Sequence, residues 1–517
     1  MSVKTISRQP KIIGFSILLW LCMGGMPGMT GGWVYGEEKR ADTLALSLDE
    51  AIRLAQLQSV DAAVALNELK SAYWEYRTYR ADRLPEVAFE GKVPNYMKKY
   101  SSYQLEDGSY TFVRNNMVGM DGGISITQGI PFTGGKISLG TSLEFTRQLG
   151  GKDGAPGGGR NEFLSIPVTI TWSQPVLGVN RYKWERKIEP VRYKEAKSAY
   201  IESVEEVTLS VISYYFNLLL ARVNWEICQQ NFVNAGRLYE VAQAKRKIGQ
   251  ISESDLMQLN YEALKAKGKL TEARSNLNAH MFRLRAFLGL GESVILDPAI
   301  PPQAPFIQVD YLQVLDRALE NNSFVHNILR RQLEADYAVA TAKGNRRKID
   351  LFASFGYSGV NGKFRDAYMG LKDNQVVQVG ISVPILDWGK RKGQVKVEQS
   401  NRDVVESRIK KEQMDFNQDI FLLVENFNNQ AGQLAIAAEA DKIAQKRYST
   451  AIETFVIGKI SVLDLNDARD SKDAAMKKYI EDLYLYWNYF YNIRSVSLYD
   501  FLENRTLDAD FEQLINE

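Results

Sequence analysis

Two short stretches carry the residues whose types and spacing could do chemistry. KIGQISESD (residues 247–255) and IGKISVLDLND (residues 457–467) each place a Gly, an Ile-Ser pair and, six residues past the Gly, an Asp. These are Gly249 with Asp255 and Gly458 with Asp464, 209 positions apart (458 − 249 = 209). The second copy adds Lys459 beside its Gly and Asp467 three residues after Asp464, so two carboxylates share one face of any helix built there. Such a pair can attract cations, while an Asp at a helix start is equally a charge favoured by the helix dipole. Gly249 and Gly458 suit the left-handed position that closes a helix, and Ser252 and Ser461 suit the N-cap of the next. The repeated device reads as a helical-hairpin tip.

Enzyme chemistry finds no support. There is no P-loop, no G-x-S-x-G and no H-E-x-x-H. Only two His and two Cys occur. His280 falls in a helix seam and His326 has no obvious partner, so neither reads as catalytic. Cys228 stands alone once the leader is gone, which leaves no intrachain disulfide and no Cys/His metal cluster. No cofactor is expected. Formal net charge is +2, or −1 when Lys4, Arg8 and Lys11 leave with the leader (2 − 3 = −1), so no nucleic-acid partner is expected. The basic run at 390–392 reads as a junction at a membrane surface.

The elements that position the tips come in two sets. Residues 1–36 read as a secretory signal peptide: a basic start, the apolar run IIGFSILLWLCMGG, then small residues. Beyond it, LSLDEAIRLAQLQS (46–59) parallels VDYLQVLDRALENN (309–322), and VTITWSQPVLGVNRYK (168–183) parallels VGISVPILDWGKRK (379–392). The expected organisation is a first repeat at 37–290 with its tip at 247–252, an inter-repeat segment at 291–312, a second repeat at 313–487 with its tip at 456–461, and a tail at 488–517. The offset between repeats falls from 263 to 209, so 54 residues (263 − 209 = 54) are inserted in the first repeat, as a hairpin within about residues 95–160.

The β segments alternate strictly. Val87, Phe89 and Val93 make one oily row; Leu164, Ile166, Val168, Ile170 and Trp172 make another. Leu351, Ala353, Phe355 and Tyr357, then Val377, Val379, Ile381 and Val383, make two more. Their opposite faces are mostly small or polar, the pattern of strands between lipid and a wet lumen. Ile124 and Ile126, then Ile137, Leu139, Leu143 and Phe145, add two candidates joined by a turn at 131–135. Residues 98–116 and 150–161 read as mobile surface loops. The helices carry heptads instead. From Val204 to Ala242 no charge occurs at a or d, and the register resumes from Leu256 to Phe287. A second set runs from Phe416 to Ala451, interrupted by Gln430 and Asp441. From Pro190 to the tip the first long helix would span roughly 85–90 Å.

Taken together, the doubled order of elements, LSLDEAIRLAQLQS, the junctions SQPVLGVNR and VPILDWGKRK, and the tips IGQISESD and IGKISVLDLND resemble the TolC-like outer-membrane efflux proteins. The resemblance implies a mixed α and β fold: a trimeric transmembrane β-barrel continued by a long periplasmic α-helical barrel, with two structural repeats per chain. It implies a passive exit duct of a tripartite efflux or type I secretion-like system in a Gram-negative outer membrane. That duct docks tip first on a periplasmic adaptor and an inner-membrane transporter. It assigns the pore constriction to Asp464 and Asp467, and a tie between closed tips to Asp255. Where the family has a basic residue and a hydroxylated aromatic at the tip, this chain has Ile460 beside Lys459, and Phe455. Four strands per chain would give a barrel of 12; six would give 18; a hairpin folded outside the wall would leave 12. The competing reading is a secreted coiled-coil scaffold or adhesin with β domains.

Overall fold

The computed structural model describes residues 43–104, 107–149, 161–302, 307–346, 348–382, 386–457 and 459–516. The leader, Gly458 and residues 150–160 lie outside them. The two repeats are built alike. The first opens with β1 (Thr43–Leu46), α1 (Leu48–Gln58) and α2 (Val60–Ala81). It continues with β2 (Glu86–Gln104), β3 (Tyr110–Gly129), β4 (Lys136–Gln148) and β5 (Asn161–Pro175), then α3 (Arg181–Lys247) and α4 (Glu253–Phe287). The second has β6 (Ile295–Pro298), α5 (Tyr311–Asn321), α6 (Ser323–Asn345), β7 (Lys348–Asn361), β8 (Lys372–Ser382), α7 (Lys390–Val456) and α8 (Val462–Ser497). The long helices match in length, 67 and 35 residues against 67 and 36, which makes the repeat structural and not a coincidence of motif. At roughly 1.5 Å per residue α3 and α7 are each about 100 Å long. The chain ends in β9 (Tyr499–Asp500), β10 (Arg505–Thr506) and α9 (Phe511–Asn516).

Local chemistry sets the breaks. Ser59 ends α1 and caps α2 by accepting from the Ala62 N–H; Asn322 does the same between α5 and α6, accepting from Phe324. Each opening helix is therefore two. Three boundaries differ from the sequence reading. Helix α3 begins at Arg181 and carries Pro190 inside it, its packed neighbours outweighing the roughly 3 kcal/mol that an internal Pro costs. Helix α8 runs past residue 487 to Ser497. Residues 98–104 and 110–116, expected as part of a loop, are strand: β2 and β3 continue as paired strands through Gln104↔Tyr110.

The six longer strands form one antiparallel sheet in the order β2-β3-β4-β5-β7-β8. The inserted pair belongs to it: β3 and β4 lie between β2 and β5, and their 130–135 turn sits at the helix end, where the Asn180 side-chain amide donates to the carbonyls of Pro131 and Phe132 at 2.9 and 3.1 Å. Register places Val87, Phe89, Ile124, Ile126, Ile137, Leu139, Ile170, Trp172, Phe355 and Val379 on one face. That face is unpacked; Phe89 is 75% exposed. Two rows depart from strict alternation, β2 at a bulge between Lys92 and Asn95 and β5 at another. A bulge between Ser165 and Val168 puts Ser165, not Leu164 or Ile166, in line with Leu143 and Gly359, because Pro167 has no N–H to give to the ladder. Ser165 is buried there, donating to Ala367 O of a 3-10 turn at Asp366–Tyr368. That turn lies so close that a Cβ on Gly359 would meet the same carbonyl.

Toward the sheet the helices pack in the row α2-α3-α6-α7, and toward the tips in the row α4-α3-α8-α7. The expected seam residues bear this out: on α4, Ala273 and Leu284 are buried and Leu256, Ala263, Leu270 and Leu277 half-buried. The main core lies between the two rows, where α1, α5 and the parallel β1–β6 pair pack on the long helices through Leu46, Ile52, Val211, Phe216, Phe427 and Tyr486. Gln430, a polar break in the α7 heptads, is buried but satisfied, donating to the Asp482 backbone carbonyl at 3.0 Å and carboxylate at 3.2 Å. Beside this core Arg494 of α8 bridges buried Glu205 on α3 and buried Asp500 of β9, both at 3.1 Å. Replacing Arg494 with Met leaves two buried carboxylates without their cation, a loss of about 3–5 kcal/mol. The expected result is a lower thermal midpoint by circular dichroism and early proteolysis after Leu498; an unchanged midpoint and digestion pattern would show that this bridge does not hold the tail.

Candidate functional site at the helical tips

The first tip closes by backbone geometry. Gly249 has φ +74°, the left-handed region where a side chain is strained. Its N–H donates to Arg246 O at 3.0 Å, and Gln250 N–H reaches back to Lys245 O at 2.9 Å, the crossed bonds of a Schellman end. The second tip repeats the outer bond: Lys459 N–H donates to Thr454 O at 3.1 Å, the same pair shifted by 209. The Lys459 side chain is exposed.

Asp255 and Asp464 do identical local work. Each sits at the third helical position of a capping box. Ser252 Oγ accepts from Asp255 N–H at 3.1 Å and donates to Asp255 Oδ2 at 2.7 Å; Ser461 and Asp464 show the same two distances. The reciprocal box satisfies helix-start donors that would otherwise be orphaned. In the second tip those bonds, with the Ser461 N–H, hold the Asp464 carboxyl below the usual carboxylate range. Asp464 stays fully exposed, so its charge is both a cap and a surface charge.

Asp467 is not a lone charge within the chain. Arg447 of α7 pairs with it at 2.5 Å and also donates to Ser471 Oγ at 3.2 Å. Both members are more than half exposed, 53% for Arg447 and 65% for Asp467, so the pair is screened by water and weak. Sequence reading missed Arg447. The signal was available: Arg447 and Ser471 are equidistant from Lys459 (459 − 447 = 471 − 459 = 12), so a hairpin folding there sets them face to face.

The two hairpins meet through polar contacts. The Lys245 ammonium lies 5.9 Å from the Phe455 ring centre, taking the face of an aromatic that has no hydroxyl. Asn231 donates to Asp473 at 2.7 Å, and Asn234 to Tyr448 Oη at 3.3 Å. Between α3, α4 and α8 runs a polar groove of about 490 Å³ lined by Asn224, Cys228, Lys265, Lys269, Asp473 and Lys477. Among the described residues no three His, Cys, Asp or Glu side chains converge as a metal site, and no helix is long and apolar enough to cross a membrane.

A sheet with one oily, unpacked face, standing on paired helical hairpins with charged tips, defines the subunit of an outer-membrane channel. The chain belongs to the outer membrane efflux protein family, whose model matches residues 137–290 and 314–495, one stretch in each repeat. Solved channels share the fold. The Campylobacter jejuni CmeC outer membrane channel superposes with a TM-score of 0.63 at 15% identity, covering 91% of this chain and 88% of that one. The outer membrane protein VceC of Vibrio cholerae gives 0.60 at 13% identity, over 87% and 95%. The open state of the Neisseria gonorrhoeae MtrE outer membrane channel gives 0.56 at 12% identity, over 89% and 91%. No curated protein sequence matches the chain. Family and fold place the protein in a Gram-negative outer membrane with a large periplasmic part, and the scaffold or adhesin reading is set aside.

Replacing Ser461 with Ala tests the double use of Asp464. Loss of an N-cap costs about 0.5–2 kcal/mol, so amide exchange should quicken over the first turn of α8. The Asp464 carboxyl should titrate higher, part of the way toward its ordinary range, because the Ser461 hydroxyl bond that lowers it most is lost while the Ser461 N–H bond remains. Unchanged exchange and titration would overturn the capping assignment.

Proposed function

We propose that three copies of this chain close into one passive exit duct. The observation that carries this is that every tier ends in open edges. The sheet ends in β2 and β8, the upper helical row in α2 and α7, and the lower row in α4 and α7. These edges expose apolar side chains: Val64 and Trp74 on α2, Met257 and Leu264 on α4, Val404 and Ile443 on α7. Sheet edges left open in lipid strand unpaired backbone groups, each costing several kcal/mol. Further copies supply partners for all three tiers at once. Three sheets of six strands give an 18-stranded wall (3 × 6 = 18), wider than the 12 strands usual in the family.

At the other end the duct docks, tip first, on a periplasmic adaptor and through it on an inner-membrane transporter that supplies energy and chooses the substrate. The polar groove between α3, α4 and α8, with Lys265, Lys269 and Lys477 beside Asp473, suits a charged helical hairpin of such an adaptor. No step of covalent chemistry is assigned to the channel.

Asp464 and Asp467 form the constriction, six carboxylates in a trimer (2 × 3 = 6), and Asp255 ties the closed tip. Exposed like charges at a narrow point attract cations and bind multivalent ones. Arg447 offsets Asp467, so Asp464 supplies most of the field. Because its carboxyl lies below the usual range, cation preference should persist to lower pH than an ordinary Asp allows and vanish only on further acidification.

Two measurements test the reading. Mass measurement in mild detergent should show trimers; monomers or dimers alone, with the fold intact, would sink it. In planar bilayers, Asp464→Asn with Asp467→Asn should lower cation selectivity and relieve block by trivalent cations several-fold, while Arg447→Gln should raise both. A double variant with the selectivity and block of the parent would refute the ring. Changing Asp255 should raise conductance with less effect on selectivity.

A further inference from the structure

The hairpin made by β2 and β3 rises above the rest of the sheet. The β3–β4 ladder ends at Met117↔Gln148, but β2 and β3 pair for seven further rows, from Lys98↔Asn116 to Gln104↔Tyr110. At roughly 3.3 Å per row this is about 23 Å of ribbon with no further strand paired beside it among the described residues. On its other side β8, with 11 residues, is too short to accompany the 19 of β2, so a neighbouring copy leaves the same rows uncovered. It points outward, since the strand ends that meet helices lie at the opposite end. A two-stranded ribbon in water is marginal by itself.

Its side chains are ordered by height. A bulge between Lys92 and Asn95 shifts β2 by one, so that Tyr96, Lys98 and Tyr100 share the oily face with Val87 and Phe89 below. On this face the first tier above the aliphatic rows is aromatic: Phe145 and Phe163, 4.9 Å apart, with Phe364 at 6.0 Å, placed as an interfacial girdle. Next come cations. Arg147 lies in the row Tyr96–Val118–Arg147, and Lys98 one tier higher, roughly 12 Å away by strand and row spacing; both are exposed. Above them the same face turns aromatic again, with Tyr100 71%, Phe112 76% and Tyr110 68% exposed.

We propose that this outward face of the hairpin is a headgroup site for a phosphorylated glycolipid of the outer leaflet. The order of side chains matches the order of groups in such a lipid. Acyl chains meet the aliphatic rows, Arg147 and Lys98 meet phosphates through charge-assisted bonds, and Tyr100, Tyr110 and Phe112 stack on sugar rings. The face is continuous with the lipid-facing wall, so the same molecule reaches both. The inference rests on the outer-membrane placement and on the sheet forming the wall.

The test uses the whole channel, purified in mild detergent and exchanged into vesicles of phosphatidylethanolamine with either a bis-phosphorylated disaccharide glycolipid or its dephosphorylated form. Native mass measurement after extraction should find the phosphorylated glycolipid retained at least tenfold over the dephosphorylated one. Lys98→Gln with Arg147→Gln should abolish that preference, and Tyr100→Ser with Tyr110→Ser and Phe112→Ser should lower retention of both forms. All variants should remain trimers of normal conductance, which keeps the result apart from any failure of the duct reading. Equal retention by parent and variants would overturn the site. So would loss of the trimer in the aromatic variant with lipid retention unchanged, which would make a second copy the occupant.

Discussion

A backbone in hydrocarbon has no water to bond, so a strand edge cannot be left open there. This constraint governs the molecule. One chain provides six strands in a single antiparallel sheet and no way to join β8 back to β2 by itself. In the proposed trimer the sheet is a third of a wall, and everything beneath it must present edges at the same angular positions. The helices comply: both helical rows end in faces that carry apolar side chains without partners. The proposed trimer finishes all three open tiers by the same operation.

The doubled architecture follows from the same demand. A wall and a tunnel sharing one axis need the strand-to-helix passage made at regular intervals, and in the proposed trimer the two similar repeats of each chain supply it six times. The halves stay aligned because they are fastened at mid-height. There α1, α5 and the β1–β6 pair wrap the long helices, and Tyr215 Oη donates to Leu46 O at 3.0 Å, pinning one strand. Arg494 adds a polar fastening between α3, α8 and the tail. Apolar packing supplies most of the stabilisation, while the buried ions fix which surfaces meet.

The proposed constriction would combine two uses of one side chain. Asp255 and Asp464 serve the helix start through identical boxes, which explains why the motif occurs twice. The repeat is therefore explained by folding before function. What differs between the copies is the surrounding charge: Lys459, Asp467 and Arg447 belong only to the second. Function is written in the departures from the repeat more than in the repeat.

Periodicity made much of this legible from sequence. The heptads from Val204 to Ala242 and from Leu256 to Phe287 define helices that pack along one seam, because a seven-residue period has few other solutions. Alternation at Ile124 to Phe145 defined the two added strands, and Gly249 with Ser252 defined the turn between helices. Three features escaped it. The ribbon of 98–104 and 110–116 reads as loop in sequence because both its faces hold polar residues, so no alternation reports pairing; the partner strand decides it. The bulge at Pro167 reversed the expected facing of Leu164 and Ile166, since register is a property of ladders and not of one strand. The Arg447–Asp467 pair forms only when the hairpin closes. The sequence by itself determined the long helices, the alternating strands and the turn at the tips, since these depend on near neighbours. Only the tertiary structure decided which strand lies beside which, which face of the sheet is uncovered and which charges are paired, because those depend on residues that are distant along the chain and adjacent only in the fold.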